Sequence, residues 1–177
     1  PKTGKTELLV RLAVEWGQAG ESILWITEEP RRAWTYRIPK FSYQFQNVTF
    51  IFGLGTTLRS LVSEIKKSDE NIVVVDTTNL LLIQNGNEPS SVNLTLTPVI
   101  AACRETQSTL ILVHHHRKSY GDYGSGAAGS YQFLAIVDCG LDLEREKTGS
   151  TRRRISNWSR LESVPDIVYE LLDDGTM

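Results

Sequence analysis

Short apolar runs of strand type alternate with helical segments along this chain, and that alternation constrains the fold more than any other feature. Ser22 to Thr27 (SILWIT), Val48 to Phe52 (VTFIF), Ile72 to Val75 closing on Asp76, and Thr109 to Val113 (TLILV) read as strands. Between them lie helical patterns. About Lys5 to Gln18 has helical periodicity and stops at Gly20, and Arg31 to Ile38 is a short amphipathic segment. Thr57 to Lys67 sets Leu58, Leu61, Val62 and Ile65 on one face, and Val92 to Thr106 can be helical with Pro98 near its first turn. Strands joined by helices imply crossover connections and a mostly parallel sheet, and unbroken apolar strands imply cover on both faces. Ile136 to Leu143, Arg152 to Asn157 and Ile167 to Leu172 are late strands with little helix between them, which predicts an antiparallel edge. The expected fold class is α/β, with one domain over 1–177.

Composition narrows the function. Lys and Arg number 19 against 21 Asp and Glu, a net charge of -2, so the chain is no polycation that coats nucleic acid over its whole surface. Cys103 and Cys139 are far apart and form no disulfide framework, and three histidines are too few for a metal-binding tract. No apolar run has membrane-spanning length and no signal peptide is visible. A cytoplasmic protein without membrane partners is expected.

The chain opens Pro1-Lys2-Thr3-Gly4-Lys5-Thr6-Glu7, and Gly4-Lys5-Thr6 matches the end of the phosphate-binding pattern G-x-x-x-x-G-K-[ST]. The first glycine of that pattern would stand just before Pro1, so the chain reads as one cut inside the motif. A loop that opens a helix aims backbone N–H groups and the positive end of the helix dipole at one point. Lys5 would add a point charge for the β- and γ-phosphates, and the Thr6 hydroxyl would ligate Mg²⁺. The competing reading makes Thr3 a helix cap and Lys5 a solvated cation.

Ligands of an open α/β sheet gather at the carboxyl ends of its strands. Those ends carry Glu28 and Glu29, Asp76, and His114 to His116. Asp76 suits the water shell of Mg²⁺, or alternatively caps the next turn. One carboxylate of Glu28 and Glu29 could orient the water that attacks a γ-phosphate; Glu29, next to Pro30, Arg31 and Arg32, reads as a solvated helix-start charge. Strand alternation prevents the three histidines from sharing one metal, so an imidazole bonding the γ-phosphate fits better than zinc. Arg117, Lys118, Tyr120 and Tyr123 lie in or beside the Gly-rich segment Ser119 to Ala128, which suits single-stranded DNA or an ordinary loop equally. Arg152, Arg153 and Arg154 read as a strand with alternating exposure, or a charged edge that resists mispairing.

The ordered segments PKTGKT, ILWITEEP, NIVVVDTTNLL, TLILVHHHRK, AAGSYQFLAIVDCGLDLER and RRISNWSR resemble the RecA-like P-loop ATPases over nearly the whole chain. The likeness is strongest to the branch of hexameric replicative helicases and RepA-like proteins, with RadA-like features. It implies a RecA-like P-loop NTPase three-layer sandwich that binds and hydrolyses ATP with Mg²⁺. It also implies self-association into a ring or filament acting on DNA in replication, recombination or repair. By that resemblance residues 1–7 form the nucleotide loop, with Lys5 and Thr6 in the Walker A roles and Asp76 in the Walker B role. Glu28 then matches the water-activating glutamate and His115 the residue that senses the γ-phosphate. Segments 84–92 and 118–128 fall where the family places DNA-facing loops, and Arg160 falls near the late basic motif that reaches a neighbour's nucleotide. Two positions depart from the pattern: Ala128 stands where RepA-like proteins carry an arginine, and Trp158 where RadA-like proteins carry a lysine. Because an intersubunit arginine contributes roughly 10³–10⁵ in rate, the alternative is a nucleotide-gated scaffold with little turnover. A small-molecule P-loop kinase is a weaker third reading, with no acceptor-binding lid in the sequence.

Overall fold

Four of the apolar runs lie side by side in parallel. The computed structural model describes residues 3–40, 45–53, 57–78, 89–115, 135–147, 149–160, 162 and 164–171. Its elements are α1 (Lys5–Gln18), β1 (Ile23–Thr27), α2 (Arg31–Lys40), β2 (Val48–Phe52), α3 (Leu58–Lys67) and β3 (Ile72–Asp76). These are followed by α4 (Pro89–Glu105), β4 (Thr109–Val113), β5 (Cys139–Arg145), β6 (Arg152–Ser159) and β7 (Ile167–Glu170). The parallel sheet has the order β2-β1-β3-β4. The late strands form an antiparallel sheet of order β5-β6-β7, with β6 paired on both sides.

Side chains of a strand alternate between the two faces, and the parallel sheet buries both. Leu24, Ile26, Val73 and Val75 pack with Leu61 and Ile65 of α3 and with Val92, Leu96, Val99, Ala102 and Cys103 of α4. Ile23, Trp25 and Val74 pack on the other face with Val10 and Ala13 of α1 and Trp34 of α2. The result is the expected helix–sheet–helix sandwich, with β1 buried along its whole length. Thr57 starts α3 with a reciprocal cap: its hydroxyl accepts from Ser60 N at 3.2 Å, and Ser60 Oγ accepts from Thr57 N at 3.1 Å.

Two element starts differ from the sequence expectation, and one proline changes place with them. The polar segment 84–91 ends inside a helix, because α4 already begins at Pro89; proline's fixed φ suits a first helical position. Pro98 therefore sits in the helix interior, where it withholds a donor from the Leu94 carbonyl. Leu94 is 75% exposed, which places that turn at the solvent side. Likewise β5 starts at Cys139, where pairing with Ser159 begins, while Ile136 packs against the α3–α4 side of the core. Within this sheet Gly140 lies opposite Trp158, and a Cβ on Gly140 would stand 2.4 Å from the indole nitrogen.

Trp25 is fully buried at the centre of an aromatic group, 5.2 Å from Trp34 and 6.0 Å from Phe50 between ring centroids. Its indole N–H finds no acceptor among the described residues. Trp25→Ala is expected to destabilise the fold by about 3–5 kcal/mol. Trp25→Phe should cost much less, since it also removes an unpaired donor. Chemical denaturation of the two variants checks the order; equal losses would contradict it.

Candidate active site

Register fixes the site. Thr27, Asp76 and Val113 are paired neighbours on β1, β3 and β4, and Thr27 pairs with Phe52 of β2. Glu28 and His114 each lie one step beyond that line, on strands about 4.8 Å apart. The Glu28 N–H donates to the Asp76 carbonyl at 2.9 Å, extending the ladder to the strand tips.

The start of α1 faces these tips. Gly4 has φ 95°, a left-handed conformation that favours glycine, and its carbonyl accepts from Leu8 N at 2.9 Å. The first N–H groups of α1 have no partner within the helix. Lys5 Nζ donates to the His114 carbonyl at 2.6 Å, and the Thr6 hydroxyl donates to Asp76 Oδ2 at 3.2 Å. Burial lowers the Lys5 pKa, while the Asp142 and Asp76 carboxylates pull it back up. Lys5, Thr6 and Asp76 thus share one place, with Asp142 of β5 close by.

Asp76 is 3% exposed. Burial pushes its pKa up to about 6; the Thr6 hydroxyl and Arg37 oppose the rise, and Glu29 and Glu28 add to it. A carboxylate and a hydroxyl held together, beside further carboxylates, form a hard oxygen donor set that fits Mg²⁺. The N–H groups that open α1, with Lys5 beside them, suit phosphate oxygens.

The two glutamates after β1 have different partners. Arg37 grips Glu29 through both carboxylate oxygens, with Nη2 to Oε1 at 3.0 Å and Nη1 to Oε2, and its Nε stands 3.8 Å from Glu7 Oε1. Glu29 is therefore a paired charge and not the solvated one expected. Glu7, expected in the nucleotide loop, lies on the first turn of α1 and joins this ion network. The Glu28 carboxylate has no hydrogen-bonded or ionic partner among the described residues, yet it acts electrostatically on both Asp76 and His115.

His114 Nδ1 and the Thr78 hydroxyl are 2.6 Å apart. Partial burial, and next the Lys5 cation, hold the His115 imidazole below its ordinary pKa, so it is neutral at pH 7. Thr3 is tied down by Arg153, whose Nε donates to its carbonyl at 2.8 Å. Arg160 stands elsewhere. Just past the end of β6, it stands seven residues beyond Arg153, about 23 Å of extended strand, and it bonds Asp138 Oδ1 at 3.5 Å and the Ala135 carbonyl. Pro1, Lys2, His116, Ala128 and segments 84–88 and 118–128 lie outside the described residues; 89–92 belong to α4. Trp158, which departs from the family pattern, covers Gly140.

Sequence reasoning missed Arg37, Asp142, Thr78 and the specific place of Arg153. For Arg153 a signal was present, since alternation in a strand buries the middle residue of three arginines.

No protein-family model and no curated protein matches the sequence. Solved structures do match. A KaiC-like protein from the hyperthermophilic archaeon Pyrococcus horikoshii OT3 superposes with a TM-score of 0.70 at 17% identity, over 99% of this chain and 84% of that one. A DnaB-like replicative helicase superposes with a TM-score of 0.79 at 12% identity, over 98% of this chain and 54% of that one. An isolated ATPase domain gives a TM-score of 0.80 at 13% identity, over 99% and 80% of the two chains. This chain has the RecA-like ATPase fold. Its spans therefore agree with the expected architecture, a parallel sheet between helices with antiparallel strands at the end of the chain. Among the described residues, no helix of this RecA-like domain is long and apolar enough to cross a membrane.

The raised Asp76 pKa has a stability consequence. The folded chain holds this proton to about pH 6 and the unfolded chain only to about 3.8. Between those values the folded state binds more protons, so stability falls as pH rises through the window and stays lower above it. The ionised carboxylate costs the fold on the order of 3 kcal/mol without a cation. Asp76→Asn should therefore melt several degrees above the parent at pH 8 in chelator, and the gap should close near pH 4. Thermal melts across pH check this; a variant less stable at pH 8 would contradict it.

Proposed function

We propose that this chain binds ATP with Mg²⁺ and hydrolyses it, within a ring or filament of like subunits that acts on DNA in replication, recombination or repair. The observation that carries this reading is the Thr6 hydroxyl on the buried Asp76 carboxylate at 3.2 Å, with Lys5 beside it. The Glu28 carboxylate at the adjoining strand tip, unpaired among the described residues, completes it. In this reading the loop around Thr3 and Gly4 and the first N–H groups of α1 hold phosphate oxygens, Lys5 meets the β- and γ-phosphates, and Thr6 and Asp76 hold Mg²⁺. The ion, when bound, neutralises charge that develops on the phosphate oxygens. Glu28 orients a water for in-line attack on the γ-phosphorus and takes its proton as the new P–O bond forms. The bond to the β-phosphate oxygen breaks, and ADP and phosphate leave. Glu29 stays with Arg37 and holds the end of β1 against α1 and α2. His115 donates an imidazole N–H to a γ-phosphate oxygen.

The DnaB-like replicative helicase of this fold interacts with primase, which supports a role beside DNA for the present chain. Single-stranded DNA would meet segments 84–92 and 118–128, and the protein would work in the cytoplasm. Arg160 follows the end of β6, about 23 Å of strand from Thr3's partner Arg153, so it would act on a neighbour's nucleotide and not on its own. Its bonds to Asp138 and Ala135 favour a second reading, in which turnover is slight and ATP mainly drives assembly.

Lys5→Ala is expected to remove nucleotide binding, and Glu28→Gln to keep ATP affinity while hydrolysis drops at least ~100-fold. Calorimetric binding with phosphate release checks both; unchanged affinity in the first or wild-type turnover in the second refutes the assignment. Phosphate release with and without single-stranded DNA separates the two readings, since DNA-stimulated turnover excludes the scaffold.

A further inference from the structure

Arg153 is one of the most enclosed charged residues described, 4% exposed, and it pairs with no carboxylate among the described residues. The charged neighbour that acts on it most is another cation, Arg145. A buried guanidinium without a counter-ion is expensive unless its donors are satisfied. Here they go to carbonyls. Nε donates to Thr3 O at 2.8 Å, and Nη1 donates to Ser150 O at 2.7 Å and to Arg152 O at 3.1 Å. One of those carbonyls belongs to the loop that opens α1; the other two belong to the turn before β6 and to the first residue of β6. Leu171, just past β7, closes over the same loop, since a Cβ on Gly4 would stand 3.1 Å from its Cδ2. Leu171 is itself fixed by its N–H on the Thr151 carbonyl at 2.9 Å.

A loop that wraps phosphate must turn its N–H groups inward and its carbonyls outward. An inward carbonyl would set a partial negative charge against the phosphate oxygens. An outward carbonyl buried under a second sheet needs a donor. We propose that Arg153 is a positioning residue for nucleotide binding: its Nε–H holds the Thr3 carbonyl outward and so presets the phosphate-binding loop from the antiparallel sheet. The inference rests on the ATP reading above, and it adds a second element, β6, to the machinery of that site. A preset loop loses less freedom on binding, so the effect falls on affinity for every nucleotide that carries a β-phosphate. The chemical step, which depends on Glu28, stays as it was.

The test uses the full chain with Arg153→Met and Arg153→Lys, beside the parent and Lys5→Ala. Calorimetry with ATP and with ADP, steady-state kinetics and thermal melts are read together. Arg153→Met should weaken ATP and ADP alike by roughly 10- to 100-fold, the loss of a charged-donor bond. KM should rise with it, and kcat at saturation should stay within about twofold. Arg153→Lys, which keeps a cationic donor without the fork, should recover part of the affinity. Parent-like affinity for both nucleotides in Arg153→Met, or in Arg153→Lys should the first not fold, overturns the inference, whatever the melting temperature does. A fall in kcat at unchanged KM overturns it too. If the parent itself binds ATP no better than Lys5→Ala, the ATP reading fails and the positioning role fails with it, an outcome distinct from the others.

Discussion

The parallel pairing of β1 with β3 and of β3 with β4 is the constraint on which the site depends. It sets Thr27, Asp76 and Val113 on one line, and the next residues, Glu28 and His114, emerge together above the sheet. None of these side chains needs a long-range contact of its own to arrive there. The apolar faces of the strands are fixed by α1 and α2 on one side and α3 and α4 on the other. A slip of one residue would turn every one of them inside out. Core packing therefore holds the polar tips in register, and the helix start at Gly4 faces a ready array of carboxylates and carbonyls.

That array opposes the fold that carries it. Asp76 is buried, and two further glutamates repel its charge. The Thr6 hydroxyl and Arg37 offset only part of the cost. Functional positions are where proteins tolerate such local conflict, and the surrounding sheet is among the best-packed parts of the chain. Arg37 relieves some of the repulsion by taking Glu29 between its two terminal nitrogens. Glu28, next to it, has no such partner among the described residues. Two adjacent glutamates of the same chemistry are thus given different surroundings by one arginine on α2.

Much of this was legible in the sequence, for identifiable reasons. An apolar β-branched run that stops on an acid, as at Ile72 to Asp76, shows both its burial and its polar end. Gly4-Lys5-Thr6 followed by helical periodicity placed the loop. What stayed hidden depended on partners distant in the chain or on a choice between neighbours. The local sequence set Glu29 apart only as a solvated charge beside Pro30, Arg31 and Arg32; its two-point pairing with Arg37 of α2 was not visible there. The start of α4 at Pro89 was obscured by a polar, turn-forming stretch, and that moved Pro98 from the first turn to the interior. Arg153 sits among three arginines that read as a strand of alternating exposure or as a charged edge, and neither reading says what the buried one meets. Its burial is set by the loop 150 positions earlier in the chain.

Gly140 faces the indole of Trp158 so closely that any larger residue would collide with it. The bulky ring in β6 and the bare backbone in β5 are therefore one fitted part, like a tenon and its slot. Two residues further along β5 is Asp142, whose charge bears on Lys5. An added methyl group at 140 would have to displace that ring in the pairing that carries Asp142, so a residue with no chemistry of its own guards the setting of a charge that bears on the start of α1.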